Sequence, residues 1–227
     1  MITSTPFDSQ NQTEIVKFDL NQIYLLVGQL DWWLRPNICP AQCGVSCANR
    51  PFDTHVFMKP LIRDFSSYSS SALYGLFELV YSSAQTMSET MEEKYPDLAS
   101  FEKDLAALQN LPGAVALVAE IDEKPVAYLI IKPRKQSRLR HTADLSMGVA
   151  DSARGQGMGK LILQAGIERA TALPELEIVY LMVRADNAPA IRLYEGMGFA
   201  TMATLNRDTK VGTDYFDGIL MRRFVDS

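Results

Sequence analysis

The stretch ARGQGMGK, residues 153–160, places three glycines at alternate positions between an arginine and a lysine. Since glycine has no Cβ, such a stretch lets a ligand approach the main chain closely, and the common ligand is phosphate. The preceding TADLSMGV predicts a strand, and the following KLILQAGIERATAL predicts a helix, whose first N–H groups are unpaired. The stretch therefore predicts an anion site or, alternatively, a flexible loop that binds nothing.

Two familiar phosphate-binding motifs do not fit this loop. A dinucleotide-binding fingerprint, G-x-G-x-x-G, requires glycine at the position of Lys160. A P-loop requires glycine at the position of Arg154 and serine or threonine at the position of Leu161. The ligand must therefore be inferred from the residues around the glycines.

Those residues resemble the acetyl-CoA signature of the GNAT N-acetyltransferases. The signature has Arg or Gln, two residues, Gly, one residue, and Gly or Ala, and residues 154–159 match it without departure. A second family element follows in NAPAIRLYEGMGF, residues 187–199, and DGILM, residues 217–221, is similar to the family's last strand. The resemblance covers roughly residues 52–225 and not residues 1–50. The second element keeps Asn187, Ala190, Leu193, Tyr194, Gly198 and Phe199.

The resemblance implies a fold and an activity. The fold is α/β, with a mixed, mostly antiparallel central sheet, flanking helices and splayed central strands. The activity is that of an enzyme, an acetyl-CoA-dependent N-acetyltransferase that moves an acetyl group to a primary amine by direct attack on the thioester. The acceptor stays open between a small-molecule amine and a protein lysine or N-terminus. The alternative is a non-catalytic acyl-CoA-binding or sensing module with partner contacts through its N-terminal segment.

The resemblance also implies roles for individual residues. Main-chain N–H groups of residues 155–160 hold the diphosphate of coenzyme A, and backbone groups near Met147 and Val149 pair with its pantetheine arm. Tyr194 donates a proton to the leaving thiolate, and Asn187 bonds the cofactor arm. Alternatively, Tyr194 packs in the core and Asn187 caps a helix. The predicted site comprises Met147, Val149, Arg154, Gly155, Gln156, Gly157, Met158, Gly159, Lys160, Asn187 and Tyr194, with Tyr194 catalytic.

The group that takes the proton of the attacking amine is not identified by any motif. Glu120 and Asp144 lie in or beside central strands, Tyr180 lies on the strand that would face the cofactor, and His141 lies nearby. Each is alternatively a solvated or packed residue, and the family often uses a chain of water molecules. The general base therefore stays open.

Hydrophobic patterns predict the order of the elements independently of the resemblance. The order is a strand, two helices, three strands, a helix, a strand, a helix and two strands, which is typical of a mixed α/β sheet. The apolar run IVYLMV, residues 178–183, predicts a strand covered on both faces. Loops for the acceptor are predicted around residues 66–75, 132–141 and 205–215.

Residues 1–50 are predicted to form a separate N-terminal segment, and residues 51–227 the acetyltransferase domain. An apolar stripe at three- and four-residue spacing runs from Leu20 to Leu34 and predicts a helix, which packs on the main body or forms a homodimer contact. Cys39, Cys43 and Cys47 follow it. A metal site, redox chemistry and packed thiols all remain open for this cluster, and we predict no metal.

Composition excludes some classes of function. The chain has 227 residues, of which 47% are hydrophobic and 22% are charged, as in soluble globular proteins. A net charge of −5 argues against a broad basic surface for nucleic acid. The N-terminus has neither a basic lead nor an apolar block long enough to span a bilayer, which predicts a cytoplasmic protein without a membrane partner.

Overall fold

The structure, a computed structural model, describes residues 60–225, which form one seven-stranded sheet with helices on both faces. The predicted N-terminal helix, the three cysteines and the division near residue 50 lie outside the described residues. The strands are β1 (Leu61–Asp64), β2 (Val115–Ile121), β3 (Lys124–Pro133), β4 (Thr142–Val149), β5 (Ile178–Arg184), β6 (Ala200–Val211) and β7 (Asp214–Phe224). The helices are α1 (Ser70–Ser83), α2 (Met91–Lys94), α3 (Leu98–Gln109), α4 (Met158–Thr171) and α5 (Ala188–Gly196).

The sheet opens between its two central strands. Its order is β1-β2-β3-β4-β5-β7-β6, and every neighbouring pair is antiparallel except β4 and β5. These two strands are paired only from Thr142 and Ile178 to Asp144 and Tyr180. Beyond that row they separate, and we call the space between them the gap. The predicted mixed, mostly antiparallel sheet with splayed central strands is confirmed.

Alternating side chains divide the sheet between two hydrophobic cores. Leu129 and Leu145 belong to the core on the face that carries α4 and α5, here called the α4 face. Tyr128 belongs to the core on the opposite face, with α1 and α3, here called the α1 face. Each fully buried leucine stabilises the fold by roughly 1.5–3 kcal/mol through removal of apolar surface from water. The two cores hold the strands, and therefore the gap, between helices.

The α1 face of β5 is open, and the prediction that this strand is covered on both faces is wrong. Val179 and Leu181 are buried on the α4 face, whereas Met182 on the α1 face is 45% exposed. The reason is that α1 packs mainly against β3 and β4. Apolar composition alone cannot show which neighbouring strand a helix will cover.

The predicted order of elements is confirmed, with one addition and two differences. The short helix α2 was not predicted, although Thr90 and Glu93 form both halves of a capping box. The predicted loop at residues 205–215 is instead paired strand, because a bulge between Leu205 and Thr209 lets β6 and β7 stay paired up to the turn. The predicted loop at residues 66–75 contains the first turns of α1, which Ser69 caps.

The turn between β2 and β3 carries a removable strain. Asp122 and Glu123 have φ angles of 49° and 63°, values that favour glycine. We expect Glu123→Gly to raise the free energy of unfolding by about 0.5–1 kcal/mol. Glycine removes the strain of the left-handed conformation, and the greater flexibility of glycine in the unfolded chain offsets part of that gain. Chemical denaturation measures the change. The adjacent Lys124→Gly lies within β3 and should lower stability, and a loss of stability for both variants would contradict the prediction.

Candidate active site

The glycine loop presents bare main chain at the start of α4. Gly155 and Gly157 have φ angles of 72° and 80°, and a Cβ at either position would meet no atom of residues 60–225 within 4 Å. Gly157 is the N-cap of α4 and provides no side-chain cap, and Leu161 is the first residue of the helix whose N–H finds a backbone acceptor. Within residues 60–225, the N–H groups of residues 155–160 have no acceptor. These groups fit an anion such as a diphosphate.

Side chains hold this loop in shape. Arg154 donates from Nε to the Val149 carbonyl at 3.1 Å, from one terminal nitrogen to Asp151 at 3.0 Å, and from the other to Ser83 Oγ at 3.2 Å. Gln156 donates to the Ser152 carbonyl at 2.7 Å. The guanidinium of Arg154 therefore binds protein groups at the mouth of the gap, while Lys160 is exposed on the first turn of α4.

Gly159 allows α4 and α5 to approach each other closely. A Cβ on this residue would lie 3.2 Å from Leu193 Cδ2 and 3.7 Å from atoms of Met147 and Val149. The start of α4 thus lies against α5, which carries Tyr194, and against the edge of β4 that borders the gap. The structure brings together the glycine loop, Met147 and Val149 as the sequence predicts.

A short segment at the C-terminal end of α1, residues 83–86, bridges the two sides of the gap. Arg154 binds Ser83 from the β4 side, and Arg184 of β5 donates to the Gln85 carbonyl at 2.9 Å. Asn187 donates to Thr86 Oγ1 at 3.0 Å. We call residues 83–86 the strap. No local pattern in the sequence marks it, because its partners lie about a third or more of the chain away.

Asn187 caps α5, as one of its two predicted roles requires. Its Oδ1 accepts a hydrogen bond from the Ala190 N–H at 3.3 Å, while its amide nitrogen binds the strap. An amide nitrogen has two hydrogens, so one remains for a second acceptor. The capping role is confirmed, and the hydrogen bond to the cofactor stays a prediction.

Tyr194 is buried where α5 meets the sheet. Its side chain is 8% exposed, and its ring packs edge-on against Phe199 with centroids 5.8 Å apart. Burial raises the pKa of Tyr194 to about 12, because the phenolate would be poorly solvated. The hydroxyl therefore keeps its proton at neutral pH.

Glu120 is poorly suited to act as the general base. Its carboxylate is buried and accepts hydrogen bonds from Arg63 Nε at 2.8 Å and from the Tyr68 hydroxyl at 2.5 Å. The hydrogen bond from Tyr68, followed by that from Arg63, lowers the pKa of Glu120. A lowered pKa makes the carboxylate a weaker proton acceptor. Glu120 instead ties β1 to β2.

The other three candidates lie at or near the closed end of the gap. Arg134 binds both oxygens of Asp144, at 2.7 and 3.0 Å, and its guanidinium lies 5.1 Å from the centre of the Tyr180 ring. The main-chain carbonyl of His141 accepts from the N–H groups that precede and begin β5. Asp144 is thus engaged in an exposed ion pair, and Tyr180 lies beneath a cation.

A row of polar side chains closes the gap on the α1 face. Asp144 pairs with Tyr180, and Tyr180 pairs with Arg222 of β7, so their side chains lie next to one another. The Arg222 guanidinium lies 4.8 Å from the centre of the Phe224 ring. In the part of the chain that the structure describes, Arg222 has no carboxylate partner. Sequence analysis missed this residue, since only strand register places it beside Tyr180.

The sequence model of the acetyltransferase (GNAT) family matches residues 79–199, a range that spans the gap and the glycine loop. The chain belongs to this family. It is 26% identical over 150 residues to the L-amino acid N-acetyltransferase AaaT of Escherichia coli, with 66% of this chain and 91% of that protein covered. It is 33% identical over 113 residues to an N-alpha-acetyltransferase of Sulfurisphaera tokodaii, with 45% of this chain and 66% of that protein covered.

Solved structures of other acetyltransferases have the same fold. The ribosomal-protein-alanine N-acetyltransferase from Brucella melitensis is 27% identical, with a TM-score of 0.64 over 72% of this chain and 99% of that chain. A phosphinothricin acetyltransferase from Sinorhizobium meliloti, in complex with acetyl-CoA, is 22% identical, with a TM-score of 0.65 over 74% of this chain and 90% of that chain. The latter comparison bears on the fold alone.

Membership of the GNAT family establishes the general activity. The protein is an acetyl-CoA-dependent N-acetyltransferase with an amine-bearing acceptor, and the alternative of a non-catalytic module is not needed. No helix within residues 60–225 is both long and apolar enough to span a membrane. The cytoplasmic location, the homodimer and the absence of a nucleic-acid partner stay predictions.

Proposed function

We propose that this acetyltransferase acts on the α-amino group of a small acceptor that carries a carboxylate, such as a free amino acid. The observation that carries the proposal is the Arg222 guanidinium in the row that closes the gap, where no carboxylate of residues 60–225 pairs with it. An arginine can hold a carboxylate through two parallel hydrogen bonds. The acceptor named for the Escherichia coli relative, an L-amino acid, has this chemistry.

Acetyl-CoA supplies an activated carbonyl carbon, and the chain supplies its position. The N–H groups of residues 155–160 would hold the diphosphate, together with the positive end of the α4 dipole. The free edge of β4 near Met147 and Val149 would pair with the pantetheine arm, and the second amide hydrogen of Asn187 would bind the same arm. Arg154 contributes by holding the loop and the strap.

Tyr194 would donate a hydrogen bond to the leaving sulfur from the α4 face. Its pKa of about 12 exceeds that of a thiol, about 8.5, so complete transfer of its proton to the free thiolate would be uphill by about 5 kcal/mol. A hydrogen bond to sulfur as its negative charge develops avoids most of that cost. We therefore assign Tyr194 the stabilisation of the developing thiolate through this hydrogen bond.

The acceptor would approach from the α1 face, where β5 is open. Met182 and Tyr180 border the gap on this face, and Leu220 pairs with Met182 beside Arg222. A carboxylate bound by Arg222 would leave the neighbouring amine beside the row that ends the gap. Arg134 adds a second positive charge, although Asp144 neutralises it.

The acceptor prediction uses a matched pair of amines, L-leucine and 3-methylbutylamine, which differ only by the carboxylate. We expect Arg222→Gln to raise KM for L-leucine about tenfold, because the variant loses one partly exposed charge-assisted hydrogen bond to the carboxylate. KM for 3-methylbutylamine should stay unchanged. Initial rates are followed by release of free thiol from acetyl-CoA.

A control variant separates this effect from a general loss of charge. Arg169, near the C-terminal end of α4, forms an exposed ion pair with Asp64 of β1. Arg169→Gln removes this ion pair and should leave both KM values unchanged. Equal effects of Arg222→Gln on both amines would refute a carboxylate contact. A preference for peptide N-termini, which carry no α-carboxylate beside the amine, would also refute it.

A further inference from the structure

A buried tyrosine, Tyr128, has a hydroxyl for which the activity described so far has no use. Tyr128 lies on β3, faces the α1 side of the sheet and is 2% exposed. Its ring is stacked on Phe77 of α1, with centroids 4.1 Å apart and an interplanar angle of 16°. A phenylalanine would provide the same packing without a polar atom to bury. The hydroxyl therefore needs an explanation beyond packing.

The ring of Tyr128 extends over the neighbouring strand, β4. Tyr128 pairs with Gly148 of β4, and a Cβ on Gly148 would lie 2.9 Å from Tyr128 Cε1. The hydroxyl oxygen is bonded to the ring carbon next to Cε1, so it lies close to Gly148 of β4. Gly148 has no pairing partner on β5, so this edge of β4 borders the gap.

Gly148 is the residue that makes this position possible. A side chain there would also come within 2.5 Å of Val80 Cγ1 and 3.2 Å of Met87 Cε. Val80 belongs to α1, and Met87 follows the strap. Glycine at position 148 thus lets the Tyr128 ring lie flat on β4 beneath α1.

A second tyrosine, less buried than Tyr128, belongs to the same aromatic cluster. Tyr81 of α1 stacks on the same Phe77, with centroids 6.3 Å apart and an interplanar angle of 17°. It is half-buried near the strap. Burial raises the pKa of Tyr128 well above that of an ordinary phenol, and the neighbouring Tyr81 raises it further. The Tyr128 hydroxyl is therefore protonated at neutral pH. A neutral phenol can donate and accept a hydrogen bond at once.

We propose that Tyr128 is a further catalytic residue, which takes the proton of the attacking amine on the α1 face while Tyr194 serves the leaving sulfur on the α4 face. When the amine nitrogen has bonded to the acetyl carbon, its N–H bond breaks and an O–H bond forms at Tyr128. The original Tyr128 proton moves to Tyr81, and a Tyr81 proton passes to water. Both tyrosines end neutral. The relay depends on acetyl transfer itself and not on the carboxylate of the acceptor.

The first test needs no acceptor. Tyrosines labelled with ¹³C at Cζ are observed by NMR, and the Tyr128 resonance is assigned from the Tyr128→Phe variant. Saturation with acetyl-CoA should shift this resonance, because the ring packs against Gly148, which borders the gap. The resonance of Tyr95, a buried tyrosine of the same aromatic cluster directly after α2, should not shift. An unmoved Tyr128 resonance overturns the proposal.

The second test measures the proton step. Single-turnover transfer to 3-methylbutylamine and to L-leucine should slow about tenfold in Tyr128→Phe, at the low end of proton-transfer catalysis. The acetyl-CoA Kd should stay constant, and the solvent deuterium isotope effect should increase. Tyr95→Phe, which removes a hydroxyl from the same cluster, should change none of these. The relay is overturned if Tyr128→Phe changes neither the transfer rate nor the isotope effect, or if Tyr95→Phe slows transfer equally. A failure of the carboxylate contact, by contrast, appears only in the Arg222 experiment.

Discussion

Tyr194→Phe lowers kcat by about 100-fold, the lower end of the range for a proton donor, and leaves the Kd for acetyl-CoA within about twofold. The ring stays in place against Phe199, so the variant loses the hydroxyl and little packing. The thiolate then leaves without a hydrogen bond. Turnover with the fastest amine in a screen, together with calorimetry of acetyl-CoA binding, measures the two quantities.

The pH dependence of the same reaction tests the environment of Tyr194. Because burial raises the pKa of Tyr194 to about 12, its hydroxyl stays protonated where an ordinary phenol ionises, near pH 10. We expect no loss of kcat from this group between about pH 9 and 10.5. The raised pKa of Tyr194 also contributes to the free energy of unfolding. This contribution is complete below pH 10 and is lost as the pH rises toward 12.

The control for Tyr194 is Tyr215→Phe, which removes the hydroxyl of a half-exposed tyrosine on β7. This variant should retain the kcat of the unaltered protein. If Tyr194→Phe also retains it while acetyl-CoA still binds, Tyr194 is a packing residue, as its alternative interpretation holds.

Gly157→Val abolishes most of the affinity for acetyl-CoA, with an increase in Kd of at least about 100-fold. Two effects combine. At φ 80° a β-branched residue is strained, so the turn that begins α4 must move. A side chain would also occupy the open space in front of the free N–H groups. Calorimetry of acetyl-CoA binding measures the loss, and circular dichroism verifies the fold.

Gly75→Ala is the matched glycine control, since a Cβ there meets no atom within 4 Å and the residue lies inside α1. Alanine favours helix, so this variant should gain about 0.5–1 kcal/mol of stability and bind acetyl-CoA normally. Gly157→Ala should have an intermediate effect on Kd. Normal acetyl-CoA binding by a folded Gly157→Val variant would show that the main-chain N–H groups of the loop do not hold the cofactor.

Local physical chemistry explains what could be predicted from the sequence alone. Helix α4 and its glycine loop depend on hydrogen bonds and φ angles within a few residues, so the pattern at residues 154–159 was sufficient. The same holds for the cap that Asn187 provides and for the hairpin of β2 and β3. Runs of apolar residues likewise predicted the strands of the sheet.

Tertiary structure decided which distant residues meet. Arg222 lies beside Tyr180 because of the register of β7 on β5, and a shift of one residue would turn it to the other face. The strap and the contact of Tyr128 with Gly148 depend on where α1 packs, and the same packing leaves β5 open on one side. These contacts join segments far apart in the chain, and their free energy depends on packing rather than on neighbours in sequence, so no local pattern encodes them.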